Sequence, residues 1–418
     1  MKSKQNAGRI NRAATWILAV AATATLLTAT YATAQSEKFL HSFNTANDGS
    51  EPNAGLVFDA TGNLYGTTQV GGTAGIGTVF QLIPRTGGGW TERVIHNFTN
   101  GVDANSPQDN LIIDSAGNLY GTGLGGGLYQ FGAVFELSPS GHGWTEKVLH
   151  SFQGNGIDGN DPFGPLTLDA AGNLYGTTER GGTSNDGTVF ELSPTSSGPW
   201  TETILFSFDG SNGANPLGGV VFDSSGNLYS TTQMGGAFGY GCVFELSPSS
   251  SGWTETVLYS FNNNNVDTIF PYAGVVMDSA GNLYGMGEAG TEFGGGAVFE
   301  LSPSGGTWTE SLLHTFLYNS KNLDGIHPED GLTIDAAGNL YGTTRWGGSG
   351  KDTEGDGTVF KLSFSGGTWT EKILHNFNSG TDGKQPVGGV ILDASGNIYG
   401  TTQEGGTFGN GTVFEIIP

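Results

Sequence analysis

One cysteine, Cys242, stands in a chain of 418 residues, so no intramolecular disulfide framework holds the fold together. Positive charge is scarce as well: 15 Lys and Arg face 39 Asp and Glu. A surface with that balance repels phosphate backbones and anionic head groups, which excludes nucleic acid as a partner. Charged residues of both signs make up only 13% of the chain, while glycine fills 73 positions. That composition starves helices, because each interior glycine costs about 1 kcal/mol relative to alanine. The glycines follow no Gly-X-Y period and prolines number only 15, so a collagen-like fibre is excluded too. What remains is an all-β fold with many tight turns.

There is one long apolar run, and it lies at the start. Lys2, Lys4, Arg9 and Arg12 precede an uncharged stretch from Ala13 to Ser36, and Ala32-Thr33-Ala34 has the small-x-small pattern of a signal-peptidase site. Residues 1–34 are therefore expected to be a signal peptide, with Gln35 opening a secreted chain, extracellular or periplasmic. The run is long enough to span a bilayer, so an uncleaved signal segment is the one expected route to membrane contact. The leader holds four basic and no acidic residues, leaving 39 acidic against 11 basic in residues 35–418, a net charge of −28.

What is abundant is repetition. Gly-Asn-Leu-Tyr recurs at Gly62, Gly117, Gly172, Gly226, Gly281 and Gly338, and Gly-Asn-Ile-Tyr at Gly396, at spacings of 54 to 58 residues. Around each copy lie four strand-like runs, in the first repeat GLVFD, NLYGTT, GTVFQL and WTERVIHNF, bounded by Gly, Pro, Asn or Ser. An Asp-x-x-Gly-Asn turn headed by Asp59, Asp114, Asp169, Asp223, Asp278, Asp335 or Asp393 joins the first two runs. Its aspartates are read as turn formers rather than a ligand ring, since the glycine always accompanies them.

Four antiparallel strands in about 55 residues make a propeller blade. A linear solenoid is the competing architecture, and it needs capping repeats at each end. Here the chain ends on a third strand, GTVFEIIP, and EKFLHSF at Glu37–Phe43 matches the fourth strand of other repeats. One blade is split between the two ends. The expected fold is a seven-bladed β-propeller over residues 35–418, with blades at about 52–98, 107–152, 162–208, 216–261, 271–316, 328–377, and 386–418 plus 37–43. The runs GNLYGTT, GTVFELSPS and WTExVLHSF resemble the Gloeobacter/Verrucomicrobia-type (GloVer) tandem repeat of exported bacterial proteins, over essentially all of residues 37–418. More loosely, DxxGNLY is similar to the first hairpin of NHL-type and lactonase-type propellers. The resemblance implies a propeller and export, and no particular activity.

Five histidines, His41, His96, His150, His314 and His375, share one fourth-strand position that Phe206 and Tyr259 fill elsewhere. A slot that takes His, Phe and Tyr is read as selecting a flat ring for packing, not a metal ligand. The fourth-strand glutamates (Glu37, Glu92, Glu146, Glu202, Glu255, Glu310, Glu371) are read as inter-strand or inter-blade pairing groups. Cys242, where other repeats have Thr or Ala, is read as a small buried residue.

Function is expected on the face carrying the long loops, at departures from the repeat. Trp346, Phe270, Tyr272, Tyr240 and Arg345 are the candidate ligand-binding residues. Asp109, Asp330 and His327 are acid/base candidates at the axial entrance. Asp352, Glu354 and Asp356 alternate like part of a Ca²⁺ loop, although Ser363 stands where its late glutamate belongs. No cofactor other than such a calcium ion is expected. The reading that follows is an exported monomeric binding or scaffold module for a glycan or protein ligand at the cell surface. The alternative is a hydrolase or lyase acting on extracellular polysaccharide or lactone, which requires at least two of the acid/base groups to share one pocket.

Overall fold

In the computed structural model, residues 36–44, 48–141, 143–196, 198–318, 324–350 and 355–418 are described; the expected signal peptide lies outside them. Each blade begins with its aspartate-closed turn. Asp59 Oδ1 accepts the Thr61 and Asn63 N–H groups at 2.8 and 2.9 Å, and Oδ2 accepts Asn63 Nδ2 at 2.7 Å and the Tyr65 hydroxyl at 3.1 Å. Gly62 supplies the left-handed residue of the turn, at φ 85°. The other six turns repeat the bonds from Asn and Tyr. These aspartates form turns, as expected.

The turn launches an antiparallel four-stranded sheet, in the first blade Val57–Phe58, Leu64–Thr68, Thr78–Pro84 and Trp90–Asn97. Seven such sheets form the propeller. The last is built from Ile391–Leu392, Ile398–Thr402 and Thr412–Ile417, completed by Ser36–Ser42 from the other end of the chain. That closing pair runs in register from Ser36 opposite Ile417 to Ser42 opposite Thr412.

Both faces of every blade are apolar, because the third strand alternates large side chains. Val79 points into the seam with the second blade, against Leu111, Leu119 and Phe135; Phe80 and Leu82 point back against Tyr399 and Val413 of the seventh. The core is therefore a set of seven inter-blade clusters rather than one central mass. A phenylalanine leaving each fourth strand locks the seam: Phe43 packs edge-on against Phe80, centroids 5.0 Å apart, and both are fully buried. The glycine of Leu-Tyr-Gly makes room for the next ring, since a Cβ on Gly176 would lie 2.6 Å from Phe190 Cζ.

Two local features position the working groups. The fourth strand carries a β-bulge, so that Val79 pairs with His96 but Phe80 with Val94, leaving Ile95 as the extra residue. Glu92 and His96, four apart, thereby face opposite sides of the blade. The linker beyond the strand then pairs with the loop between second and third strands of the next blade, as Gly159–Asn160 does with Arg180–Gly181. The residue before each linker proline is left-handed: Glu51, Ser106, Asp161, Asn215, Phe270, His327 and Gln385 have φ between 50° and 57°. Non-glycine residues in that region cost on the order of 1–3 kcal/mol, and the neighbouring loops hold them there. Glu51 donates its N–H to Asn410 O at 3.1 Å and accepts from Gln69 N at 3.0 Å, joining the seventh blade's loop to the first's.

Removal of residues 36–43 should open the ring. It deletes a whole strand and Phe43, whose burial alone is worth about 3–5 kcal/mol, so thermal unfolding is expected to shift sharply downward; an unchanged midpoint would contradict closure by Ser36–Ser42.

Candidate functional site at the axial mouth

Each linker proline delivers the next residue to the axis. Asn53, Gln108, Phe163, Leu217, Tyr272, Glu329 and Val387, one from each blade, all line a cavity of about 480 Å³. From the loops between second and third strands, Glu179, Gln233, Arg345 and Gln403 add to the wall. Deeper in lie Asp109, Asn110 and Asp330 among glycines of the other blades. The backbone ring is sevenfold and the side chains on it are not. The lining includes four glutamine or asparagine amides besides Asn110 and two aromatic rings, and carboxyls outnumber the single cation.

Asp109 and Asp330 come from the second and sixth blades and reach the same cavity. Burial raises the Asp109 carboxyl well above the usual carboxylate range, and the Asp330 charge raises it further, while the Asn110 N–H partly offsets both. Asp330 is pushed up to about 6 by burial and by Glu329, against the pull of N–H groups donated by Gly331 and Gly389. The Asn110 carboxamide accepts the Gly55 N–H of the adjacent first blade. Nearer the surface, Arg345 Nη1 donates to both Glu329 oxygens at 3.1 and 3.0 Å. Burial still leaves Glu329 raised, in spite of that partner. Arg345 Nε and Asn53 Oδ1 are buried without a hydrogen-bond partner, a donor and an acceptor on the wall.

Of the residues singled out from sequence, Tyr272, Arg345, Asp109 and Asp330 meet in this cavity. His327 is not on its wall; its Nδ1 lies 3.4 Å from Glu288 Oε1, beside Tyr318. Trp346 packs against the core between the fifth and sixth blades, and the Arg345 guanidinium sits over its ring at 5.6 Å, so it props the arginine from behind. Tyr240 and Phe270 pack on one another, 5.6 Å between centroids, and on the core of the seam between the fourth and fifth blades. All three are half-buried against the seams, and none is on the cavity wall. Asp352 and Glu354 lie outside the described residues, and the Asp356 carboxylate is buried and accepts the Ser379 hydroxyl at 2.6 Å. Cys242 is buried, as expected. The amides Asn53, Gln108, Gln233 and Gln403 were missed from sequence; the signal for the first two was the residue after each proline, which differs in every blade, and Gln233 and Gln403 follow the Thr-Thr pair that ends the second strand.

The histidine reading needs correction. The slot does pack a flat ring, since His41, Phe206 and Tyr259 all stand edge-on to the following phenylalanine. It is also a polar slot. His41 Nε2 lies 3.0 Å from Asp48 of the linker, with Glu92 of the next blade completing the group. Equivalent groups are His150, Asp158 and Glu202; His314, Asp324 and Glu371; and His375, Asp382 and Glu37. His96 lies 3.4 Å from Asp103 in the same way. The histidines do not converge on each other, but four of the five meet two carboxylates at a seam.

Fold and cavity together define the class, a closed seven-bladed propeller with a polar pocket on its axis. The chain belongs to the Gloeobacter/Verrucomicrobia repeat family, whose profile matches residues 20–201 and 195–414. No curated protein matches it. Among solved structures, an ancestral GH74 enzyme aligns at TM-score 0.57 and 10% identity, over 89% of this chain and 48% of that one. The ulvan lyase of polysaccharide lyase family 25 aligns at TM-score 0.53 and 11% identity, over 89% and 94%. A sialidase of Trypanosoma rangeli, bound to sialic acid, aligns at 0.43 and 12%, over 92% and 58%. At such identities the likeness is one of fold. Among the described residues no helix is long and apolar enough to cross a membrane.

The carboxyl pair has a pH signature. A carboxyl whose folded pKa is raised binds its proton more tightly in the native state, so stability is fully present below the unfolded value near 4. It is lost as pH rises through the folded value, about 6 for Asp330. Asp109→Asn removes the carboxyl that burial and the Asp330 charge raise well above its usual range, and leaves Asp330 raised by burial and Glu329. The variant should lose less stability between pH 5 and pH 8 than the parent, by on the order of 1 kcal/mol or more, read from denaturation midpoints at the two pH values.

Proposed function

We propose that the chain is an exported, monomeric binding module, its leader cut after Ala34, and that the axial cavity holds a segment of an extracellular glycan. The observation that carries this is the wall itself. Tyr272 and Phe163 offer ring faces to a sugar, the amides and raised carboxyls both donate and accept, and Arg345 Nε with Asn53 Oδ1 are buried without partners. Carboxyl groups outnumber the one arginine, which is itself paired to Glu329. A neutral sugar therefore suits the cavity better than a uronate or sulfate. The propeller fold shared with a polysaccharide lyase supports a glycan over a protein ligand, though only at the level of fold.

A second reading rests on Asp109 and Asp330. Two carboxyls in one cavity with raised proton affinity are the pair an acid/base hydrolase or lyase uses. The pairing meets the requirement that two of the three sequence-named groups share a pocket.

Calorimetric titration of residues 35–418 with neutral and uronate oligosaccharides tests the binding reading. Neutral sugars should bind, uronates more weakly, and Tyr272→Ala should weaken binding at least tenfold with an unchanged melting temperature. No binding across the panel would overturn it. Release of shorter products from a bound sugar, abolished by Asp109→Asn, would instead select the enzymatic reading.

A further inference from the structure

The seven repeats act as an internal comparison at the seams. In every seam one linker residue accepts the backbone N–H that follows the locking phenylalanine or its neighbour: Asp158 Oδ2 takes it from Gln153 at 2.8 Å, and Asn212 Oδ1 takes it from Asp209 at 3.0 Å. An amide is thus sufficient for that bond. The carboxylate is kept wherever the ring slot holds His or Tyr, and it becomes Asn212 at the one seam where the slot holds Phe206. Ring and carboxylate change together, so the second carboxylate oxygen serves something the ring shares. At the Tyr259 seam that something is plain, since the phenol donates to Asp267 at 2.9 Å.

At two of the histidine seams a simple hydrogen bond is a poorer account, whereas His41 and His375 stand 3.0 Å from Asp48 and Asp382. His150 Nε2 stands 3.5 Å from Asp158 and 3.5 Å from Glu202 Oε1, and His314 Nε2 stands 3.4 Å from Asp324 and 3.9 Å from Glu371. Charge-assisted hydrogen bonds close to about 2.7–2.9 Å. Ligands about 2.0–2.2 Å from a shared tetrahedral ion lie about 3.3–3.5 Å from each other. In the second seam His150 Nε2, Asp158 Oδ1 and Glu202 Oε1 are all buried with no hydrogen-bond partner, and the Asp158 side chain is only 5% exposed. A divalent ion at the meeting point would partner all three atoms and offset the carboxylate charge.

We propose that the His–Asp–Glu seams are divalent-cation sites that staple consecutive blades together. One imidazole with two carboxylates suits the zinc or manganese class rather than calcium, which takes oxygen ligands. The glutamate is common to all seven seams and the histidine–aspartate pair to five; in four of those five the three side chains converge closely enough to share an ion. Two sites flank the closing strand, because Glu37 reaches His375 and Asp382 on one side while His41 reaches Asp48 and Glu92 on the other. The role is structural and lies away from the axial cavity, so it stands apart from the glycan reading.

Zn²⁺ titration of metal-stripped residues 35–418, followed by calorimetry and by melting, tests this. About four equivalents are expected, one for each complete group, with the melting temperature rising on Zn²⁺ and falling on chelation. His150→Phe combined with Asp158→Asn copies the pair that the chain itself uses at Phe206 and Asn212, so this variant retains the linker bond. It should bind about one equivalent fewer and melt with the parent when both are in chelator. Absence of saturable Zn²⁺ binding, or undiminished stoichiometry in the double variant, would overturn the proposal and leave the seams closed by shared protons.

Discussion

Every blade here has two apolar faces, and from that constraint the rest of the structure follows. An open stack would leave Val79-type side chains bare at one end and Phe80-type side chains bare at the other. Closing the stack into a ring removes both ends. The seams therefore hold the core, and whatever crosses a seam is held with core precision. Each linker does so. It begins with a phenylalanine in the hydrophobic cluster, places a carboxylate (at one seam Asn212) beside the neighbouring blade, turns through a left-handed residue and a proline, and ends at the axis. Core packing and the shape of the mouth are two ends of one short segment.

This arrangement separates what must repeat from what can vary. The left-handed residue is held by backbone bonds to two neighbouring loops, so its side chain is free to differ, and it does. The residue after the proline has its backbone placed by the same device. Seven positions around one cavity can thus take an amide, a ring, an acid or an aliphatic chain without disturbing the scaffold. A sevenfold frame carries an asymmetric site.

The frame was legible in the sequence because it is written seven times. The aspartate turns, the blade boundaries and the split blade all rest on repetition that chance does not produce. Asp109, Asp330, Tyr272 and Arg345 were visible as departures from it. Trp346, Tyr240 and Phe270 were departures as well, but a large aromatic outside the pattern fills a gap in a seam as readily as it faces solvent, and sequence does not say which. Asn53 and Gln108 were hidden because a position that differs in every repeat reads as loop variation, and Gln233 and Gln403 because a residue shared by three blades reads as part of the repeat. The histidine groups were hidden by the bulge. Glu92 and His96 are four residues apart and read as sharing one face of a strand, until the extra Ile95 turns them to opposite faces and each meets a partner from the adjoining blade.

The closing strand also sets an order of events. Ser36–Ser42 is among the earliest segments of the ring to be synthesised, yet its partner, Thr412–Ile417, is the last. For the whole interval of synthesis the first strand has nowhere to pair, and the first and sixth blades each keep an apolar face uncovered. The ring is in this sense a clasp that cannot engage until Thr412–Ile417 has emerged. A chain so built remains unlatched, and capable of being threaded, until that strand is in place.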